Sequence, residues 1–268
     1  MIFLKKLYTP IVFIQILKGF LSLVNISLIV SCSTPFPRVG VGYSPQILFE
    51  RTCQRGGAGV ESVQGWVTIK ANVPDFFGQF SAAIFASASR QSLQLELTNL
   101  LGGTEAYIRI QGDRYQVMRA SRLQAEGRST WNQIPLHWIR DLFLGKVPCP
   151  SLSDTPSASS QTQMTMHQGS DGELILLVSK SGVVQERFTF YFELYQKQPW
   201  PQFLHWEQLK PVPVTLDLKW SSPDEKTGSS KRWEVQSAQG KIQVRWTQQT
   251  ILNAGVPDQS ALARQEGL

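Results

Sequence analysis

From Gly65 onward the chain alternates apolar and polar residues in short runs: "GWVTIKA", "GQFSAAIFAS", "SLQLELT", "TEAYIRI" and "RYQVMR". In the third run Leu93, Leu95 and Leu97 share one face while Gln94 and Glu96 share the other, the period of a strand covered on one side only. Gly112 and Asp113 supply a hairpin turn. The first half therefore reads as an antiparallel meander. Alternation returns in "ELILLVSK", "ERFTFYFELY", "PQFLHWEQL", "VPVTLDLKW", "RWEVQS" and "KIQVRWTQQ". Within "VTLDLKW", Val214, Leu216, Leu218 and Trp220 form the dry face against Thr215, Asp217 and Lys219.

Two stretches break the pattern. In "IPLHWIRDLFLG", Leu136, Ile139 and Phe143 recur at helical spacing, Pro135 suits a first helical turn, and Gly145 stands where a helix stops. Ser151 to Gly172 is dominated by Ser, Thr and Gln and reads as a loop, with a short strand around Met164 to His167. The expectation is a mainly β (α+β) fold of roughly ten antiparallel strands with one apolar face and one helix to cover it. A helix of about 12 residues is only about 18 Å long. Either the sheet curls around the helix or an apolar cavity remains.

The chain ends divide it further. Met1 to Cys32 opens with Lys5, Lys6 and Lys18 and no acid, runs apolar from Gly19 to Ser31 and finishes "LIVSC", a secretion signal in form. The small residue directly before Cys32 is similar to the lipobox of bacterial lipoproteins, and that resemblance implies cleavage before Cys32 and acylation of its thiol and new amino group. Read otherwise, the segment is an uncleaved anchor with an incidental cysteine, and Lys18 inside the apolar stretch suits that reading. Ser33 follows where, by resemblance to the sorting rule of enteric bacteria, an aspartate would hold the protein in the inner membrane. The expected divisions are a lipoprotein signal peptide at 1–31, a Pro- and Gly-rich tether at 32–45, one domain at 46–252 and a disordered tail at 253–268.

Charge changes the picture once the signal is removed. The full chain carries a formal +6, and loss of three lysines with no carboxylate leaves 6 − 3 = +3. That small excess gives little basis for nucleic-acid binding. Of three cysteines, Cys53 and Cys149 remain beyond the signal, and sequence leaves open whether they form a disulfide or two buried thiols.

The alternating run before Gly112 contains a turn, "LTNLLGGTEA", that places Leu100 and Leu101 where polar residues are usual. By periodicity alone the pair could fold back onto the sheet as a plug. The segment resembles the form L-T-N-P-L-G-x-T-E of the outer-membrane lipoprotein receptor family LolB, with Leu100 in place of the proline. "IPLHWIRDLFLGKVP" is similar to that family's I-P-L-x-x-L-x-x-W-I-L-G-x-P: Ile134, Pro135, Leu136, Ile139, Leu144 and Gly145 match, Leu142 stands at the tryptophan, and one extra residue precedes Pro148. The resemblance covers about Gly65 to Pro148.

It implies a curved antiparallel sheet forming an incomplete, half-open barrel, with a helical lid over an apolar cavity that holds lipoprotein acyl chains. It also implies that Leu101, helped by Leu100, tips a loop that inserts cargo into the membrane. The residues expected at the cavity are Leu93, Leu95, Leu97, Ile108 and Ile110, on strands of inward phase flanking that loop, with Leu136, Ile139 and Phe143 from the helix. For Phe188, Phe190, Phe192, Trp206, Trp220, Trp233 and Trp246, core packing and cavity lining both stay open. The implied partners are acylated lipoprotein cargo, a LolA-like periplasmic carrier and outer-membrane lipid, for a monomer anchored in the outer membrane and facing the periplasm.

No enzyme, cofactor or metal is expected. The chain has no G-x-x-x-x-G-K-[ST] phosphate loop and no G-x-S-x-G nucleophile elbow. Its three histidines, His137, His167 and His205, are not at metal-ligand spacing with one another. The alternative of another class is a structural or interaction lipoprotein that uses the same curved sheet to bind a protein or an envelope polymer.

Overall fold

The computed structural model describes residues 42–54, 59–74, 76–99, 102–119, 122–150, 162–225 and 229–253. Cys32 and the signal segment, most of the tether, Leu100 and Leu101, and the tail beyond Asn253 lie outside the described residues. All the described residues fall in one compact unit, Pro37–Leu268.

The meander begins with β1 (Val60–Val73), β2 (Phe76–Ser87), β3 (Ser92–Thr98), β4 (Thr104–Gln111), β5 (Arg114–Arg119) and β6 (Arg122–Arg128). After a small hairpin, β7 (Thr130–Trp131) and β8 (Ile134–Pro135), comes helix α2 (Leu136–Phe143). A second meander follows: β9 (Thr162–Gln168), β10 (Leu174–Lys180), β11 (Val183–Tyr195), β12 (Gln198–Gln208), β13 (Val214–Trp220), β14 (Arg232–Ser237) and β15 (Gly240–Asn253). The chain is introduced by α1 (Pro45–Phe49), capped by the Ser44 hydroxyl, which accepts from the Ile47 amide at 3.3 Å, and prolonged by a π-turn at Glu50–Gln54.

Thirteen strands form one antiparallel sheet in the order β6-β5-β4-β3-β2-β1-β15-β14-β13-β12-β11-β10-β9. Every neighbour is also a neighbour in sequence except β1 and β15, so the last strand returns to join the two meanders at the middle. The sheet does not close, because β6 and β9 remain as edges. The alternation read in the sequence is the alternation of burial: Leu93, Leu95 and Leu97 face inward with Ile108 and Ile110, and Leu216, Leu218 and Trp220 do the same across the sheet.

Helix α2 lies against this inner face. Five of its eight residues, Leu136, Trp138, Ile139, Leu142 and Phe143, are buried, a wider arc than the three-residue stripe expected from spacing. Its two ends reach different strands. Trp138 packs on Trp206 at 4.9 Å and on Phe188 at 5.8 Å, while Phe143 packs on Trp233 at 5.1 Å and on Trp246 at 6.1 Å. The sheet therefore curls around the helix. The helix stops at Gly145, which has φ +75°, with the Lys146 amide donating to the Asp141 carbonyl at 2.8 Å and the Gly145 amide to Leu142 at 3.1 Å. A Cβ there would come within 2.9 Å of the Ser229 side chain, so glycine also permits the close approach.

Cys53 and Cys149 are joined by a disulfide with Cα atoms 5.7 Å apart, closing a loop of 96 residues between the π-turn and the segment after α2. Among the described residues no helix is long and apolar enough to cross a membrane.

Candidate functional site: an apolar cavity beside an apolar rim

Between α2 and the sheet lies a cavity of about 60 Å³. Its walls come from β1 (Ile69, Ala71, Val73), β2 (Phe76, Phe80), β3 (Leu95, Leu97), β4 (Ile108), the β7–β8 hairpin (Trp131, Asn132, Ile134), α2 (Ile139, Leu142, Phe143), β14 (Trp233, Val235) and β15 (Ile242, Val244). Of these eighteen residues only Asn132 has an amide side chain and none is charged. The period-2 pattern of each strand puts its apolar set here, and the length of α2 leaves the gap that the sequence left open.

Of the residues expected at the cavity, Leu95, Leu97, Ile108, Ile139 and Phe143 line it. Leu93, Ile110 and Leu136 are buried in the same core but do not line it. The aromatic set divides: all seven are buried, and of them only Trp233 reaches the cavity. Sequence reasoning missed the β7–β8 hairpin, whose strands are two residues long and carry no periodicity. Its turn residues Asn132 and Gln133 have φ +49° and +68°, and asparagine tolerates that region better than most residues. The short spacing of Trp131 to Ile134 around an asparagine was the available signal.

The two ends of the sheet differ sharply. Six turns stand at one end, namely β1–β2, β3–β4, β5–β6, β10–β11, β12–β13 and β14–β15, as the antiparallel registers require. Eight large apolar residues are exposed among the described residues, and five belong to this rim: Phe77, Leu123, Val183, Leu209 and Val212. Phe77 is the most exposed of all, at 79 %. Val73 and Phe76, which flank the β1–β2 turn, line the cavity, so cavity and rim are continuous there. β3 ends and β4 begins at the same end, where the Asn99 amide donates to the Gly103 carbonyl at 3.0 Å. The guanidinium of Arg119 sits 5.6 Å over the Phe76 ring and also pairs with Glu105 at 3.4 Å.

The opposite end exposes Leu194 beside the β11–β12 turn and is tied down by the disulfide. Cys53 and Cys149 border a groove there with Gln91, Gly112 and Asp113. Glu61 accepts hydrogen bonds from Ser87 and Ser89, and the Ser89 hydroxyl holds its carboxyl below the usual range. The histidines fall outside the cavity: His205 pairs with Asp217 at 2.7 Å on the outer face of the sheet, while His137 and His167 are exposed. Among the described residues no three His, Cys, Asp or Glu side chains are grouped to hold a metal.

No family model and no curated protein matches the chain. Among solved structures, it is similar to a LolA superfamily protein from Nitrosomonas europaea at 12 % identity, covering 77 % of this chain and 93 % of that one with a TM-score of 0.45. It is similar to a putative outer membrane lipoprotein-sorting protein domain from Vibrio parahaemolyticus at 7 % identity, covering 82 % and 97 % with a TM-score of 0.44. The Mycobacterium tuberculosis lipoprotein LppX is similar at 14 % identity, covering 80 % and 98 % with a TM-score of 0.31.

Proposed function

We propose that the protein is a lipid-anchored receptor of the outer membrane, which accepts acylated lipoproteins from a LolA-like periplasmic carrier and passes them into the membrane at the rim. The observation that carries the reading is an uncharged apolar cavity continuous with the end of the sheet where exposed apolar residues gather. A lipoprotein cannot cross an aqueous gap unaided. Each methylene is worth about 0.8 kcal/mol, so a chain of about 16 carbons resists exposure by roughly 10 kcal/mol. An apolar container removes that barrier, and because it binds by contact area it tolerates many attached proteins. Transfer from carrier to receptor to bilayer then requires no bond to be made or broken.

The roles fall on named residues. Cys32 is the anchor and Leu101, with Leu100, is the part that dips into the bilayer during release, in company with Phe77 at the start of β2. Leu95, Leu97, Ile108, Ile139 and Phe143 hold the chain. A cavity of 60 Å³ has room for about four or five water-sized spheres, far less than an acyl chain needs. Acceptance of cargo therefore involves withdrawal of α2 from β1–β4, where its contacts are apolar and its ion pair, Arg140 with Asp141, is internal to the helix.

The test is transfer of a radiolabelled lipoprotein from purified carrier to the protein beginning at Ser33, with Leu101→Glu in parallel. Expected is uptake by both, with the variant failing to deliver cargo to liposomes. No uptake by correctly folded protein would overturn the reading. The interaction-lipoprotein alternative would then lead, supported by Lys70, Arg232 and Arg245 around one groove on the outer face, a surface suited to an anionic envelope polymer.

A further inference from the structure

On the outer face of β2, β1, β15 and β14, strands whose inner faces line the cavity, lies a groove of about 310 Å³. Its charged walls are all of one sign, Lys70, Arg245 and Arg232, each of them exposed. Register sets them side by side: Gln79 faces Lys70, Thr68 faces Arg245, and Arg245 faces Arg232. Like charges directly opposite one another on neighbouring strands destabilise a sheet. Nearby cations are neutralised, Lys241 by Glu234 at 2.6 Å and Lys231 by Asp224 at 2.7 Å. None of the three groove cations has an ion pair among the described residues. Glu234, on the same face of β14 as Arg232, is taken up by Lys241 and by the Gln243 amide at 2.7 Å. The unneutralised triad is a cost to the fold that an anionic ligand would offset.

We infer that this groove receives the phosphates of anionic lipid headgroups when the rim meets the membrane. The inference rests on the reading of the rim as the membrane-facing end, and it names what the rim's flank recognises there. What favours lipid over a soluble anion is the neighbouring residue. Phe77, the most exposed large apolar residue, lies on the same outer face of β2, two residues from Gln79 and opposite Asn72 of β1. Two residues along a strand span about 7 Å. With the Phe77 ring at the boundary of headgroups and acyl chains, Lys70 stands about 7 Å further out, with Arg232 and Arg245 about 7 Å beyond it. Interfacial apolar groups enter by about 5–10 Å, so Lys70 falls among the phosphates and the two long guanidinium side chains reach back towards them. Arginine offers a phosphate two parallel N–H donors, a directed contact as well as a charge. A soluble polymer would gain the same charge contacts and leave Phe77 in water.

The experiment uses the protein from Ser33 on, which contains the whole compact unit and lacks Cys32, with vesicles of phosphatidylcholine alone or mixed with phosphatidylglycerol. By co-sedimentation the wild type is expected to bind the anionic vesicles roughly thirtyfold more tightly than the double variant Arg232→Gln, Arg245→Gln, with the two proteins alike on phosphatidylcholine. The variant relieves opposed like charges and should melt no lower than the wild type, so weaker binding would not reflect a lost fold. A polarity-sensitive dye on Phe77→Cys should report apolar surroundings on the anionic vesicles. Equal wild-type affinity for the two kinds of vesicle, or an anionic preference unchanged in the folded double variant, overturns the inference; an apolar signal from the dye then leaves the rim reading standing. Long-chain polyphosphate bound in solution as tightly as the vesicles also overturns it, in favour of a soluble anionic polymer. If the dye stays in water on vesicles that hold the protein, the rim reading itself falls and the inference with it.

Discussion

The inner face of the sheet is filled under one half and hollow under the other. Beneath β10–β13, Phe188 and Trp206 meet Trp138 of α2, Phe190 stacks on Phe188, Leu204 is fully buried opposite Phe190, and no residue of β9–β13 lines the cavity. Beneath β1–β4 the inward residues are smaller for the most part, Ala71, Ala82, Ala86, Leu95, Leu97 and Ile108 against Phe76 and Phe80, and α2 offers Ile139, Leu142 and Phe143 rather than an indole. Both halves share the same period-2 pattern. Side-chain volume and the placing of one tryptophan decide which becomes a plug and which a chamber. The plugged half holds the helix, and the hollow half is where the helix has least to lose by moving.

The largest effect is expected from removing the plug. Trp138→Ala should cost about 3–5 kcal/mol, measured by urea unfolding, and should do so whether or not ligand is present. If the loss were under about 1 kcal/mol, the helix would not be held chiefly by the filled half. Next comes the disulfide. Replacing Cys53 and Cys149 by serine should cost about 2–4 kcal/mol, since the bond closes a 96-residue loop. It anchors the segment directly after α2, so the double variant is also expected to release acyl ligand faster while its strands stay intact by circular dichroism.

A pair of identical enlargements separates the halves more finely. Leu204→Phe falls at a fully buried position against the plug and should cost about 1–3 kcal/mol through overpacking. Leu97→Phe falls on the cavity wall, where there is space to receive the ring, and should change stability by less than about 1 kcal/mol while weakening acyl-chain binding. Equal costs at the two sites, measured by thermal and urea unfolding, would remove the distinction between plug and chamber.

Much of the frame was legible because one face of each strand is wet. Leu93, Leu95 and Leu97 declared their inward phase by alternation, and "IPLHWIRDLFLG" declared both the helix and its glycine stop. What stayed hidden was whatever lacks a period. β6, "RLQAEGR", is an edge strand with five exposed residues, so no apolar pattern marks it. The start of β1 at Val60, five residues earlier than the alternation suggests, rests on pairing with β15 at the far end of the chain. α1 is five residues long and owes its place to burial of Leu48 and Phe49 beside β9 and β10. The cavity itself was half legible. Its strands could be read from phase, but the division of the aromatic residues between plug and wall depends on where α2 crosses the sheet, which no local pattern encodes.

The smallest effect tests whether the halves act independently. Glu186, half-buried at the rim end of β11, accepts a hydrogen bond from the Trp206 indole at 3.3 Å. Burial pushes its carboxyl above the ordinary value of 4.5, with the indole bond opposing. A folded-state value above the unfolded one means that the folded protein holds the proton more readily. This contribution to stability is complete below the unfolded value and is lost as pH rises through the folded one. Glu186→Gln should therefore gain on the wild type as pH is raised from below about 4.5 to neutrality, by an amount small beside the other variants because the group is partly solvated. Among the described residues no titratable side chain lines the cavity, so affinity for a neutral acyl ligand should stay level across the same window. If affinity instead followed the Glu186 titration and the glutamine variant abolished that dependence, opening of the hollow half would be coupled to the charge on the filled one, and α2 would move as a single lever across both.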